Sequence, residues 1–224
     1  MTIASAADAV RSLWPPHSRL LDIGCGAGAF VKTLMDMGYE ASGCEPQAER
    51  VAEARKTVKG AEFAVAGAEA LPYDDAAFDG CVMLHSLHHV PAVLMPRALE
   101  EAKRCMRRGG YLAVVEPLPE GSFFEVLRLL DDETEIRNQA HACLRVAMDS
   151  GGWLHHVTHL WIRRQVYPDE QALIAFAVAN DPSRRAVAEE ARPQIVEQFH
   201  QSGMPVEGGY AFDQPIRCDV LAIA

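Results

Sequence analysis

The chain has 224 residues, enough for one well-packed domain with an elaboration and short for two independent ones. Hydrophobic residues make up 49% and charged residues 23%, the balance of a globular protein, and the net charge is −10. Nucleic acid and anionic membrane are disfavoured, because phosphate binding needs a basic footprint and the pairs Arg107-Arg108, Arg163-Arg164 and Arg184-Arg185 lie scattered. The six cysteines form no C-x-x-C pair, and several sit in apolar runs where a thiol behaves as a small core residue. Met1 to Val10 lacks a signal-peptide pattern and no apolar run approaches the ~20 residues of a membrane span, so a cytoplasmic location is expected.

Short apolar runs alternate with helical spacing through the first half, the signature of a parallel sheet covered by helices. Arg19 to Ile23 forms the first expected strand, and Phe30 to Met37 a helix that stops at Gly38. Glu40 to Glu45 is a second strand, Ala48 to Val58 a helix closed by Gly60, Glu62 to Ala66 a third strand and Phe78 to Leu84 a fourth. A helix over Pro91 to Met106 leads through Arg108-Gly109-Gly110 into a fifth strand, Tyr111 to Val115. Beyond Pro117 the pattern turns mostly helical, over Ser122 to Leu130, Asp131 to Met148, Asp169 to Ala179 and Ser183 to Gln201. Trp153 to Val166 is ambiguous between strand and irregular segment. Two strands, Gly208 to Phe212 and Ile216 to Ile223, are expected to form a hairpin through Asp213-Gln214-Pro215.

The densest information lies in Leu20-Leu21-Asp22-Ile23-Gly24-Cys25-Gly26-Ala27-Gly28-Ala29-Phe30. A strand feeds a turn of alternate glycines that opens a helix, so backbone can turn tightly and a ligand can approach with no Cβ in the way. Glu45, at the end of the second strand, is placed to accept hydrogen bonds from ribose hydroxyls. Together these parts point to a nucleotide-like ligand at the carboxyl edge of a parallel sheet. Gly24, Gly26 and Ala29 also satisfy G-x-G-x-x-G/A, so a dinucleotide remains formally open; Asp22 and the additional Gly28 separate the two readings.

This stretch resembles motif I, D-x-G-x-G-x-G, of the class I S-adenosylmethionine (SAM)-dependent methyltransferases, in the flavour of the ubiquinone/menaquinone-biosynthesis-like group. The resemblance covers most of residues 19 to 117. It continues in Ala66-Gly67-Ala68-Glu69-Ala70-Leu71-Pro72 before Phe78-Asp79, in His85-Ser86-Leu87-His88-His89-Val90, and in Arg107-Arg108-Gly109-Gly110-Tyr111 through Glu116-Pro117. It implies SAM as cofactor, S-adenosyl-L-homocysteine as product and a small-molecule acceptor, in a monomer or homodimer. Carried over, Asp22 lies near the amino-acid end of the cofactor and Glu45 binds the ribose. Gly24, Cys25, Gly26, Gly28, Pro46, Gly67, Ala68, Glu69 and His85 complete the cofactor set. Many members have an aspartate for the adenine amine at the position of Gly67, so that contact falls to backbone groups or to Glu69. The implied fold is α/β, a Rossmann-like, mostly parallel seven-stranded sheet with a C-terminal antiparallel hairpin. One domain, 1–224, would then have its core at 18–117 and 206–224 and a helical cap insertion over about 118–205.

Methyl transfer is an in-line displacement that rests on positioning and desolvation, with a base where the acceptor must lose a proton. His85, His88 and His89 follow strand four; one could be that base, or they close the strand and touch the cofactor through backbone. Glu116 ends strand five, either facing ligand or as a solvated or capping carboxylate. Glu133, Arg137 and His141 share one helix face, which lines an acceptor pocket or is surface carrying an ion pair. His88, Glu116, Glu133, Arg137 and His141 are therefore the catalytic candidates. His155-His156-x-x-His159 with Trp161 is better placed as ordinary core or surface, Tyr73 is a loose ligand candidate, and no metal site is expected. The rivals are an NAD(P)-dependent oxidoreductase, and a non-catalytic SAM-binding protein of the same fold.

Overall fold

The computed structural model describes residues 2–223. They divide into two compact units, the first made of residues 2–116, 139–160 and 217–223, the second of 117–138 and 161–216. The sequence groups 118–205 as one insertion; in the structure 139–160 falls in the first unit and 206–216 in the second.

In the first unit the expected strands form β1 (Arg19–Ile23), β2 (Glu40–Glu45), β3 (Glu62–Val65) and β4 (Phe78–Leu84). The fifth, β5, is longer than expected, Met106–Pro117. The sheet runs β3-β2-β1-β4-β5, then β8 (Gly209–Ile223) and β6 (Trp153–Tyr167). β1 pairs in parallel with both neighbours, Asp22 lying opposite Gly43 on β2 and Val82 on β4. Strand order reverses between β1 and β4, and in such sheets a crevice opens there, outside the carboxyl ends of the strands. Asp22 and Glu45 both sit near those ends.

Helices α2 (Ala29–Asp36), α3 (Ala48–Thr57) and α4 (Met95–Cys105) connect these strands. They bury Val31 and Leu34, Val51 and Ala54, and Met95, Ala98, Leu99, Ala102 and Cys105. The core joins α4 to Leu21, Ile23, Cys81, Met83, Leu112 and Val114 of the sheet, with Ala140, Leu144 and Trp153. An unanticipated helix, α1 (Ala6–Leu13), is capped by Ser5, whose hydroxyl accepts from the Asp8 amide at 3.1 Å and donates to its carboxylate at 2.8 Å. Trp14 follows it and lies over Gly80, where any Cβ would stand 2.3 Å from the indole.

The second unit holds α5 (Ser122–Leu127), the start of α6 (Thr134–Asp149), α7 (Glu170–Asn180), α8 (Arg184–Glu190) and α9 (Arg192–Ser202). They close on a core of Phe123, Val126, Tyr167, Leu173, Ala177, Ile195, Phe199 and Phe212. The single helix expected over Ser183 to Gln201 is broken at Ala191, where Pro193 begins α9.

The terminal hairpin is misplaced in the sequence reading. Its strands are β7 (Met204–Val206) and the start of β8, and the turn uses Gly208, at φ 89°. Asp213-Gln214-Pro215 lie inside the continuous β8. The Asp213 amide donates to Ser122 Oγ at 2.8 Å, and its carboxylate receives the Arg164 fork at 2.7 Å twice. Gln214 donates to the carbonyls of Leu118 and Glu120 at 2.9 and 3.2 Å. Residues that resemble a turn are thus held in extended backbone by tertiary partners. Among the described residues the sheet, with β6 and β7, has eight strands instead of seven.

Candidate functional site

The glycine turn is tied to the end of β2. Gly24 and Cys25 both donate their amides to the Cys44 carbonyl, at 2.8 and 2.9 Å, and Gly28 donates to Cys25 at 2.9 Å. Gly24, Gly26 and Gly28 have φ of 79°, 54° and 82°. A Cβ on Gly24 would stand 2.5 Å from that of Ser86, and one on Gly28 3.0 Å from the Phe63 ring. Packing therefore requires bare backbone at both. A Cβ at Gly26 would meet only the end of the Arg50 side chain, at an ordinary contact distance of 3.5 Å, so nothing rigid crowds this position.

Glu45 accepts from the Gly26 amide with one oxygen and the Gln47 amide with the other, each at 3.1 Å. Pro46, between them in sequence, is exposed. Asp22 is 1% exposed, and its Oδ1 has no hydrogen-bond partner among the described residues. Burial, reinforced by the charge of Glu45, pushes its carboxyl up to about 7. Buried polar atoms are almost always paired, so this oxygen stands out from the rest of the core. The neighbouring Cys25 thiol is buried and raised by burial, so it stays neutral.

At Gly67 a Cβ would meet the Glu69 carboxylate oxygens at 2.4 and 2.5 Å. The Glu69 side chain has folded back into the space where a side chain at 67 would begin. The Ala70 amide closes this turn on the Gly67 carbonyl at 3.2 Å, with Ala68 buried. Sequence reasoning missed Glu101, which is buried on α4, accepts from the Leu71 amide at 3.0 Å and is held by Arg104 at 2.8 Å. Tyr73, a loose ligand candidate, donates to the Gly43 carbonyl at 3.0 Å.

After β4 the chain turns through His85, a non-glycine residue at φ 53° whose amide donates to Val115 at 2.8 Å. Ser86 donates to the Ile23 carbonyl at 2.6 Å, pinning this turn to the glycine turn. Leu87–His89 form a 3-10 turn, and the Leu87 amide donates to Glu116 Oε1 at 2.8 Å. Glu116 Oε2 makes a very short contact with His88 Nδ1, both residues being buried. Burial alone would raise the Glu116 carboxyl; the charge and hydrogen bond of His88, His85 and the Leu87 amide outweigh it and hold the group below its usual value. His141, on the part of α6 in the first unit, has both ring nitrogens buried and unpartnered. Burial lowers its pKa, opposed by the Glu116 charge.

Residues 21–114 match the family model of a methyltransferase domain. That match spans the glycine turn, both ligand-edge carboxylates and the turn after β4. The chain carries a class I SAM-dependent methyltransferase domain. Its relatives include a phthiotriol/phenolphthiotriol dimycocerosates methyltransferase of Mycobacterium leprae, 30% identical over 45% of this chain and 38% of that one. A malonyl-[acyl-carrier protein] O-methyltransferase of Pectobacterium atrosepticum is 30% identical over 73% of this chain and 64% of its own. The chain thus spans well under half of the first and about two thirds of the second. The solved YcgJ protein of Bacillus subtilis shares this fold, with a TM-score of 0.67 at 18% identity over 96% of this chain and 97% of that one.

Glu133 and Arg137 lie in the second unit, apart in the chain from the methyltransferase motifs. Arg137 gives Nε and a terminal nitrogen to Glu133 Oε2, at 3.0 and 2.6 Å, and its other terminal nitrogen to the Leu118 carbonyl at 3.2 Å. Its guanidinium stacks 4.7 Å over Phe124. Arg184 reaches Glu133 at 3.1 Å and Asp131 at 2.8 Å. On β6, His155 bonds Thr158 at 2.9 Å and His156 packs on Tyr111 at 4.7 Å. Among the described residues, no helix is long and apolar enough to cross a membrane.

Proposed function

We propose that the protein transfers the methyl group of SAM to a small-molecule acceptor. The observation that carries this reading is the buried Asp22 Oδ1, without a partner among the described residues, beside a glycine turn where only the Arg50 side chain lies over Gly26. SAM presents an ammonium group for such a carboxyl, ribose hydroxyls for Glu45, and an adenine amine for the folded-back Glu69. When bound it supplies a methyl group made electrophilic by its sulfonium. NAD(P) has no ammonium donor to offer Asp22 and would bring its phosphates towards two carboxyl groups.

The protein's own part is to hold and exclude. The turn amides and Glu45 fix the cofactor's orientation, and Gly24, Cys25, Gly26, Gly28 and Ala68 shape its bed. Pro46 and His85 border that bed. Glu116 is a positioning residue: by binding the Leu87 amide and His88 it sets the turn that presses Ser86 against Gly24. Glu133 and Arg137 form a buried structural pair, since the Arg137 fork is already spent within its own unit.

The named relatives are methyltransferases of phthiotriol/phenolphthiotriol dimycocerosates and of malonyl-[acyl-carrier protein]. A small organic acceptor is the class common to these, and the net charge of −10 supports it over nucleic acid or a membrane surface. A cytoplasmic monomer or homodimer fits this use. Calorimetric titration with S-adenosylhomocysteine and with NADH tests the reading: saturable binding of the first alone is expected, and binding of NADH alone would overturn it.

A further inference from the structure

Building on the methyl-transfer reading, we propose that His141 receives the reacting hydroxyl of the acceptor, so that the protein is an O-methyltransferase with His141 as its proton acceptor. Both nitrogens of this ring are shut off from solvent and neither has a partner among the described residues. A neutral imidazole carries one N–H donor and one lone pair, and leaving either unpaired in the interior opposes folding. The missing partner must therefore give and take a hydrogen bond. A hydroxyl does both from a single atom, whereas a thiol does either weakly.

Contacts lead from the cofactor turn to Glu116, whose charge is felt at this ring. Gly24 abuts Ser86, Ser86 bonds the end of β1, Leu87 and His88 grip Glu116, and the Glu116 charge acts on His141. The other charges facing the ring are Arg217, Asp219 and Arg145. Asp219 is neutralised by the Arg217 fork at 2.7 and 2.8 Å and also receives Thr158 at 2.7 Å. Glu116 is occupied by His88. Two acids and two bases balance, so nothing around His141 selects an ammonium, a carboxylate or a phosphate. A neutral hydroxyl fits.

The step balances. The acceptor O–H bond breaks and its proton goes to the free lone pair of His141. The freed oxygen pair forms the O–CH3 bond, while the pair of the breaking S–CH3 bond remains on sulfur, leaving a neutral thioether. Glu116 stabilises the imidazolium until the product departs and the proton passes to the water that takes its place.

The test uses the full chain with SAM and three acceptor sets: phenols and enols, amines, and thiols. Transfer is expected only to hydroxyl compounds, with kcat/KM rising with pH through the ionisation of His141. His141→Phe should lower kcat/KM by about 100-fold or more and abolish that rise. The same variant should leave S-adenosylhomocysteine affinity within about twofold and melt no lower than the parent, because a phenyl ring needs no partner. His141→Gln, which keeps polar pairing without the base, should retain KM and lose kcat. Methylation of an amine or thiol, absence of any methylated hydroxyl compound in a protein that binds S-adenosylhomocysteine, or undiminished kcat in both variants would overturn the proposal. Failure of the parent chain to bind S-adenosylhomocysteine would instead sink the methyl-transfer reading beneath it.

Discussion

Asp22→Asn should stabilise the ligand-free protein above neutral pH while loosening its hold on the cofactor. In the folded chain this carboxyl is raised from 3.8 to about 7, first by burial and then by the charge of Glu45. Between those values the unfolded chain has released the proton and the folded chain still holds it, so this group's contribution to stability falls as pH rises. Above about pH 7 the whole penalty is present, worth about 4 kcal/mol from the two values. An asparagine has no such titration. Urea unfolding of both proteins at pH 5, 6, 7 and 8 should show the variant gaining on the parent with each step. Titration with S-adenosylhomocysteine at pH 8 should show the variant binding about 10- to 100-fold more weakly, since an ammonium loses its anionic acceptor. At pH 6 to 7 the parent should release a proton on binding, visible as a dependence of the binding heat on buffer ionisation. Parallel stability curves across this pH range, or equal affinity in the two proteins, would refute the placement of a buried, cation-seeking carboxyl at the end of β1.

Glu45→Ala should weaken S-adenosylhomocysteine binding by ~1–3 kcal/mol, since ribose donors and the Gly26 and Gln47 amides lose their acceptor; isothermal titration measures it. Gly24→Ala should lower stability by ~1–3 kcal/mol, because it combines a φ of 79° with a Cβ set 2.5 Å from Ser86. Gly38→Ala, at φ 89° with nothing within 4 Å, should lose only the backbone component of ~1 kcal/mol, and equal chemical-denaturation losses in both would disprove the Ser86 contact. Glu116→Gln should reduce stability at pH 7 by ~1–3 kcal/mol, as His88 loses a charged partner. The folded Glu116 carboxyl lies below its usual value, so this difference should shrink as pH falls through that lowered value, followed by acid titration of both proteins. Arg137→Ala should destabilise by ~3 kcal/mol by uncovering a buried acid, yet leave S-adenosylhomocysteine affinity unchanged.

The cofactor half of the protein was legible because its information is local. Alternation of short apolar runs with helical spacing determines strands β1 to β5, and the glycines at 24, 26 and 28 declare a turn that side chains would block. The sequence places Asp22 and Glu45 at or next to a strand end, and strand ends of a parallel sheet share one edge. The fate of Glu69 was half visible: glycine at 67 removes a carboxylate, and only the folded backbone shows Glu69 returning to that space.

Beyond β5 local rules lose their hold. Asp213-Gln214-Pro215 has the composition of a turn but lies within β8, because Ser122, Arg164 and the carbonyls of Leu118 and Glu120 satisfy it in extended form. Glu133, Arg137 and His141 share a helix face at four-residue spacing, yet distant partners sort them. Arg137 finds Glu133 and Phe124, whereas both nitrogens of His141 remain unpaired. Periodicity and glycine placement act through neighbouring residues and are written in the chain; hydrogen-bond satisfaction and burial depend on residues many positions away, and only the tertiary fold brings those together.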